Sequence, residues 1–207
     1  MDTLELAAHG PVIPVIVIDD SALAVPLARA LVAGGVRVLE VTLRTPVALR
    51  CIEAIAKAVP EAIVGAGTVR SIADAQQAKD AGCQFAVSPG YANHIGQACR
   101  KLGLPLLPGV ATASEVMQAN ADGYSFLKFF PASAAGGIPM LKALAGPFPD
   151  VLFCPTGGIS AETAPMYLAL PNVKVCGGSW LTPADAVAKR DWARITALAR
   201  AAGGLRA

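Results

Sequence analysis

Lys128 lies inside an apolar run, Phe-Leu-Lys-Phe-Phe-Pro, that ends at Pro131. The aromatic and aliphatic neighbours predict a buried β-strand, which the proline ends because it cannot donate a hydrogen bond to a sheet ladder. A lysine is rarely buried unless it is paired or used chemically. Burial favours the neutral amine, which is a nucleophile for carbonyl carbons. Lys128 is therefore either half of a structural ion pair with a carboxylate on a neighbouring strand or the nucleophile of a Schiff-base reaction.

A carboxylate and a guanidinium share one face of the strand predicted from Val38. Side chains alternate along a strand, so Glu40, Thr42 and Arg44 point the same way. In a barrel, whose outer face packs on helices, they would point to the interior, whereas on an antiparallel sheet they would form a solvated stripe. Glu40 suits proton transfer, and the planar fork of Arg44 suits a substrate carboxylate. The small residues at 65–68, where the next strand ends, predict close approach of a ligand.

Two later strands end in glycine pairs, Gly157-Gly158 and Gly177-Gly178, and Ser179 follows the second pair. Paired glycines before a helix start expose backbone N–H groups, which bind phosphate together with the helix dipole. The loops after strands seven and eight of a barrel frequently hold phosphate. The pattern predicts a phosphate site at these glycines and Ser179; the alternative is that the glycines only turn the chain.

Eight apolar runs alternate with helical segments and predict the elements that position these residues. The runs begin near Val12, Val38, Ala62, Phe85, Leu104, Phe126, Val151 and Val173. Alternation of strands and helices indicates a parallel α/β sheet, and eight units of similar length predict a single (β/α)₈ TIM barrel that spans residues 1–207 as one domain. A doubly wound open sheet is the alternative.

Local signals predict where the helices start. The pairs at 45–46 and 182–183 are Thr-Pro, which is typical of an N-cap followed by proline at the first helical position. Ser71 and Thr112 each precede an acidic residue by three positions, as in a capping box. The pair at 19–20, Asp-Asp, is better explained as a helix cap than as a catalytic pair.

The composition argues against several classes of function. Hydrophobic residues make up 54% of the chain and charged residues 15%, which indicates a large core. The net charge is +2 without a basic run, so no nucleic-acid or membrane partner is expected. The five cysteines form no Cys-x-x-Cys pair and no signal-peptide pattern is present, which predicts a cytoplasmic protein with free thiols. The two histidines lack ligand-spaced partners, so no metal site is expected.

Lys128, Glu40, Arg44 and the glycine loops together predict a Schiff-base enzyme that acts on a phosphorylated keto acid. An iminium at Lys128 would withdraw electrons and allow a carbon–carbon bond to break, with Glu40 moving the proton. Two other interpretations remain open. A metal-free phosphosugar synthase or isomerase on the same barrel would keep the phosphate loops without a nucleophilic lysine, and a non-catalytic protein would only bind a phosphometabolite.

Five motifs resemble those of a known family, and they lie at residues 39–45, 65–69, 128–132, 153–159 and 177–181. From about Val12 to the last predicted helix, the chain resembles the class I 2-keto-3-deoxy-6-phosphogluconate (KDPG) aldolases, many of which also act as 4-hydroxy-2-oxoglutarate (KHG) aldolases. The resemblance implies a homotrimeric lyase of the Entner–Doudoroff pathway without cofactor or metal. It would release pyruvate with glyceraldehyde 3-phosphate, or with glyoxylate from the second substrate. The lysine and Gly-Gly motifs favour the gluconate over the galactonate epimer.

The same resemblance implies a role for each site residue. Lys128 would form the Schiff base, and Glu40 would be the acid and base. The pyruvate site would be lined by Arg44, Thr68, Pro89, Phe130 and Thr156. The phosphate would lie at Gly157, Gly158 and Ser179, with Gly178 beside them. Two residues depart from the family's usual pattern at positions that concern substrate entry, Arg70 and Ala113.

Overall fold

Parallel β-strands alternate with α-helices through residues 3–205, the part of the chain that the computed structural model describes. The strands are β1 (Val12–Ile16), β2 (Val38–Thr42), β3 (Ile63–Gly67), β4 (Phe85–Val87), β5 (Leu106–Leu107), β6 (Gly109–Val110), β7 (Phe126–Phe129), β8 (Leu152–Pro155) and β9 (Cys176–Gly178). The helices are α1 (Ala24–Ala33), α2 (Ala48–Ala58), α3 (Ile72–Asp80), α4 (Asn93–Lys101), α5 (Ala113–Ala121), α6 (Gly137–Ala145), α7 (Ala164–Leu168), α8 (Ala184–Ala188) and α9 (Trp192–Gly203). Short 3₁₀ helices span Thr3–His9 and Ser21–Leu23. The predicted α/β alternation is confirmed.

The strands pair in parallel in two curled sheets, with the orders β5-β4-β3-β2-β1-β9 and β6-β7-β8. Single bridges join Phe153 to Val173 and Thr156 to Gly177, so β8 runs beside β9. The predicted fifth strand is split at Pro108, which cannot donate a ladder hydrogen bond. Its first half pairs with β4 and its second half with β7.

The strands carry apolar residues on both faces because helices cover the outside and side chains fill the inside. Leu39 and Val41 of β2 cluster with Ile52 of α2. Val38 belongs to the inner cluster with Phe85 of β4. The alternation of side chains along β2 therefore turns its polar residues inward, as the sequence pattern predicts.

The N-terminal 3₁₀ helix was not predicted from the sequence. Its Leu6 is 1% exposed and clusters with the inner residues Val38 and Ile63, which open β2 and β3. The helix therefore covers the amino ends of the strands, on the side of the sheet opposite to their carboxyl ends.

Two capping predictions are confirmed at Thr112 and at Asp20. The amide of Glu115 donates to Thr112 Oγ1 at 3.3 Å and the amide of Thr112 donates to Glu115 Oε2 at 2.9 Å, which completes a capping box. Asp20 Oδ1 accepts from the amide of Ala22 at 2.9 Å and caps the short 3₁₀ helix. Ser71 caps α3, since its Oγ accepts from the amide of Asp74 at 3.0 Å. The predicted capping box is only half formed there, because the Asp74 carboxylate accepts from the amide of Arg70 and not from that of Ser71.

The predictions from the two Thr-Pro pairs are wrong. Thr45 Oγ1 donates to the carbonyl of Ile18 at 2.7 Å, so the side chain ties two loops together, and α2 begins only at Ala48. At the second pair, Pro183 itself occupies the N-cap position of α8. Tertiary hydrogen bonding and backbone placement override the local pattern at both sites.

A bilayer-spanning segment is not found among the helices of residues 3–205, since none of them is both long and apolar enough.

Candidate active site

Lys128 and Glu40 meet in the interior of the molecule. Lys128 Nζ lies 3.1 Å from Glu40 Oε1, and the two side chains are 5% and 4% exposed. Lys128 is on β7, between Gly109 and Cys154 of the adjacent strands, whereas Glu40 is on β2 in the other sheet. The pair therefore crosses the space between the two sheets, so the carboxylate beside Lys128 lies across the interior and not on a neighbouring strand, where the ion-pair alternative placed it.

Glycines on β3 make room for protein side chains. A Cβ atom at Gly67 would overlap the carboxylate of Glu40 and lie 2.8 Å from its Cγ atom, and a Cβ at Gly65 would overlap the ring of Phe85. The small residues at 65–68 were predicted to let a ligand approach closely, but at Gly65 and Gly67 the groups that approach are the side chains of Phe85 and Glu40. This packing holds the Glu40 carboxylate against the backbone of β3.

A pocket of about 140 Å³ opens beside Lys128 at the carboxyl ends of the strands. Its lining residues are Val15, Val17, Arg44, Lys128, Phe130, Thr156, Gly157, Gly158, Ile159, Gly177, Gly178 and Ser179. The structure thus brings together most of the predicted site. Three predicted residues, Glu40, Thr68 and Pro89, lie outside this lining.

The three residues outside the lining have other neighbours. Glu40 does not line the pocket, but it is paired with Lys128, which does. Thr68 Oγ1 accepts a long hydrogen bond of 3.4 Å from Arg44 Nε. Pro89 packs on the backbone of Gly109, which leaves no room for a Cβ atom at that glycine.

Thr68 has an unusual backbone conformation. Its φ angle is +63°, in the left-handed region that β-branched residues rarely adopt. Such strain is maintained only where the surroundings impose it, and it is found most often at binding and catalytic sites.

Thr42, which was predicted on the same strand face as Glu40, has a hydrogen-bond partner within the protein. Its hydroxyl donates to the carbonyl of Ile16 at 3.0 Å.

Aromatic and sulfur groups surround the amine. Lys128 Nζ lies 5.3 Å from the centroid of the Phe130 ring, within range of a cation–π contact when the amine is protonated. Burial raises the pKa of the Cys154 thiol to about 12, against the opposing charge of Lys128. The thiol therefore stays protonated near neutral pH, a state in which it is a poor nucleophile.

Gly157 and Gly158 need the conformations that glycine allows. Their φ angles are +100° and +75°. A Cβ atom at Gly158 would lie 3.1 Å from Ser133 Oγ, and the Ser133 amide donates to the carbonyl of Gly157 at 3.0 Å. The loop after β8 is thus held by the loop after β7.

The prediction that helices start directly after the glycine pairs is wrong. The glycine loops do not open directly into helices, since α7 begins only at Ala164 and α8 only at Ala184, and both helices are five residues long. At Gly178 the ring of Trp180 fills the place of a Cβ atom, which is a packing reason for that glycine. Backbone N–H groups of the loops and the exposed Ser179 hydroxyl remain as donors.

Sequence reasoning missed the apolar part of the pocket. Val15, Val17 and Ile159 line it. Valines at a strand end look like core residues in a sequence, and no pattern separates them from the buried run of β1. Val17 is nevertheless 44% exposed. Within residues 3–205, no cluster of three or more His, Cys, Asp or Glu side chains is arranged to hold a metal ion.

Comparison with known proteins gives consistent matches over nearly the whole chain. The family model for KDPG and KHG aldolase matches residues 4–198. A 2-dehydro-3-deoxy-phosphogluconate aldolase of Pseudoalteromonas atlantica is 54% identical over 198 residues, which are 96% of this chain and 92% of that protein. A KHG/KDPG aldolase of Escherichia coli is 55% identical over 193 residues, or 93% of this chain and 91% of that protein.

Solved structures match the fold equally closely. A KDPG aldolase from Legionella pneumophila, with pyruvate captured as a covalent carbinolamine intermediate, has a TM-score of 0.96 and 48% identity, and the match covers 99% of each chain. A 2-keto-3-deoxy-6-phosphogluconate aldolase of Zymomonas mobilis with 3-phosphoglycerate has a TM-score of 0.94 and 49% identity, covering 99% of this chain and 96% of that one.

Proposed function

The chain belongs to the KDPG and KHG aldolase family, and on that premise we propose that it cleaves 2-keto-3-deoxy-6-phosphogluconate through a Schiff base on Lys128. The products are pyruvate and glyceraldehyde 3-phosphate, as in the Entner–Doudoroff pathway. One observation carries the assignment: the buried Lys128 Nζ and Glu40 Oε1 lie 3.1 Å apart beside an open pocket. A nucleophile and a proton acceptor at this distance are within reach for general acid–base catalysis.

Glu40 takes a proton from Lys128 and so leaves a neutral amine. The amine attacks the C2 carbonyl carbon of the substrate, and the carbonyl oxygen becomes the hydroxyl of a carbinolamine. Protonated Glu40 then donates to this hydroxyl, which departs as water, and an iminium forms between C2 and Nζ. The iminium is the electron acceptor for the next step, so the reaction needs no metal or cofactor.

Glu40 next removes the proton of the C4 hydroxyl. The C3–C4 bond breaks, its electron pair passes to the iminium, and C4 leaves as the aldehyde carbon of glyceraldehyde 3-phosphate. The remaining enamine takes a proton at C3 from Glu40 and becomes the iminium of pyruvate. Water adds to C2, pyruvate is released, and the amine of Lys128 is restored.

The remaining residues hold the substrate. Arg44 binds the carboxylate with its guanidinium, oriented by Thr68, while Phe130, Thr156 and Pro89 enclose the pyruvate carbons. The phosphate is bound by Gly157, Gly158, Gly178 and Ser179. Support for these roles is that the lysine, the arginine and the two glycine loops face one pocket.

Cleavage of 4-hydroxy-2-oxoglutarate to pyruvate and glyoxylate is a second activity of the same site. The observation that favours it is the 55% identity to a protein named KHG/KDPG aldolase. Glyoxylate carries no phosphate, so this reaction would leave the glycine loops unused.

We further propose that residues 1–207 form one domain, a closed (β/α)₈ barrel that assembles as a homotrimer. Closure is supported by the bridges between β8 and β9 and by the split strand that pairs with β4 and with β7. Assembly is supported by large apolar side chains that are more than half exposed on outer helices, namely Ile72, Met117 and Met166.

Borohydride trapping tests the nucleophile. Lys128→Met keeps a side chain of similar length without the amine. We expect it to fold but to lose both KDPG cleavage and covalent labelling by pyruvate and borohydride, whereas Lys174→Met, which removes another partly buried lysine, should keep both. Labelling of Lys128→Met at the wild-type level would show that the assignment is wrong. Absence of labelling in the wild-type protein would instead favour a synthase, an isomerase or a binding protein on the same fold.

A further inference from the structure

A second, larger cavity adjoins the active-site pocket. Its volume is about 410 Å³, and it shares three lining residues with the pocket, Val15, Val17 and Ser179. Ser179 belongs to the proposed phosphate site, Val15 lies in β1, and Val17 follows the end of that strand. The end of a substrate that lies away from Lys128 thus has two directions open to it, one along the glycine loops and one into this cavity.

The chemistry of this cavity differs from that of a phosphate site. Leu23, Val187 and Ala188 give the lining an apolar part, and Asp19 and Asp20 add two carboxylates. Asp20 already accepts from the amide of Ala22, whereas Asp19 is exposed and lines the cavity. Among the described residues that line the cavity, none is basic. Such a surface repels phosphate and attracts a ligand that is apolar and positively charged.

We propose that this cavity is a second acceptor subsite, through which the enzyme adds pyruvate to aldehydes whose far end is apolar and cationic. The inference rests on the proposed aldolase function, because it uses the same Schiff base in the synthetic direction. It also accounts for Val17, an apolar residue that is 44% exposed at the boundary of the two spaces and would be covered by such an acceptor.

The reaction needs no further reactant. The enamine of pyruvate on Lys128 attacks the aldehyde carbon, so a new carbon–carbon bond forms, and the aldehyde oxygen takes a proton from Glu40. Water then adds to the iminium carbon, and the 4-hydroxy-2-keto acid leaves while the amine is restored. Atoms and electrons balance as in the reverse of the cleavage reaction.

A matched pair of aldehydes isolates the charge. Trimethylammonioacetaldehyde and 3,3-dimethylbutanal have the same shape, but only the first is cationic. They differ in hydration and in intrinsic reactivity, so the quantity to measure is the ratio of their kcat/KM values and its change on mutation. Asp19→Asn should lower the ratio of cationic to neutral acceptor by about fivefold, the loss expected for one charge contact in water at roughly 4 Å.

Controls separate this inference from the proposed function. Asp80→Asn, at the end of α3 and away from the cavity, should leave the ratio unchanged. Ala188→Phe fills the cavity and should slow addition to both aldehydes while KDPG cleavage persists; Ala184→Phe serves if the first variant does not fold. An unchanged ratio in Asp19→Asn, or no addition by an enzyme that cleaves KDPG, would overturn the subsite. An enzyme unable to cleave KDPG or trap pyruvate would instead refute the proposed function.

Discussion

Lys128 and Glu40 form an ion pair that stability alone does not explain. Removing two charges from water costs several kcal/mol per ion, and apolar residues of similar volume often serve a fold equally well. The pair also forces a glycine at position 67, where a side chain would collide with the carboxylate. The pair lies beside an open pocket, which supports the catalytic role proposed for it.

Glu40→Gln separates imine formation from proton transfer. Glutamine keeps the shape and hydrogen-bonding capacity but lacks the basic oxygen. We expect pyruvate still to be trapped by borohydride, while KDPG cleavage and exchange of the pyruvate methyl protons both fall by ~10²–10⁴-fold, the usual value of a general acid–base group. Proton exchange can be followed by NMR in deuterated buffer.

The matched control is Glu53→Gln, a change on the exposed face of α2 where Glu53 pairs with Lys57. It should leave trapping, cleavage and exchange unaltered. Methyl-proton exchange at the wild-type rate in Glu40→Gln would mean that another group or a water is the base, and Glu40 would then be a structural partner of Lys128.

Residue types at the site could be predicted from the sequence, but their contacts could not. A lysine between phenylalanines and a glutamate inside a strand are visible because charge is rare in such surroundings. Their meeting across the interior depends on the curl of the sheets over 88 residues of separation. Val17 gave no signal, because its exposure arises from its position at the pocket mouth.

At the scale of secondary structure, the N-terminal 3₁₀ helix offers a test of packing. Leu6 is 1% exposed within the inner cluster, so Leu6→Ala should lower the free energy of unfolding by about 2–5 kcal/mol. Leu4 lies on the same helix but is 38% exposed, so Leu4→Ala should lower the free energy of unfolding much less. Urea unfolding measures both variants.

Catalysis should be largely retained in folded Leu6→Ala, since the helix covers the amino ends of the strands and the pocket lies at their carboxyl ends. Equal losses of stability in the two leucine variants would show that the helix does not close the interior.

Strand positions were more predictable than strand interruptions and helix starts. Apolar runs gave strand starts within about three residues, because a strand covered on both faces must be continuously apolar. The break at Pro108 depends on which neighbour each half pairs with. The 3₁₀ helix has no hydrophobic period long enough to detect, and Thr45 bonds to a distant carbonyl rather than to its own helix.

At the scale of the whole molecule, the five cysteines are buried and none of them is part of a disulfide. Burial raises the pKa of the Cys83 thiol to about 12 from its ordinary value of 9.0, and that of the Cys99 thiol to about 11. Burial likewise raises the pKa of Cys154 to about 12. Thiols that remain protonated inside the fold ionise readily once the chain unfolds.

Stability should therefore fall in alkali. Below about pH 9 both states keep these protons, and the thiols add no pH dependence. Above it the unfolded chain releases protons that the folded chain retains, so the free energy of unfolding decreases by up to ~1.4 kcal/mol per pH unit for each such thiol, until pH reaches the folded pKa. Urea unfolding at several pH values between about 8 and 10.5 measures the slope.

Cys83→Ala removes one of these groups and should make the decline shallower. A slope identical to that of the wild type would mean that the Cys83 thiol ionises equally in both states.

The order of the two ion-pair partners along the chain has a consequence for its synthesis. During synthesis Glu40 is incorporated before Lys128, at a separation of 88 residues. Arg44 and Thr68 also precede the lysine. Every product of premature termination that contains the amine therefore already contains the carboxylate. An incomplete chain can lack the proposed nucleophile, but it cannot present that amine to cellular carbonyl compounds without Glu40, its partner in the folded protein.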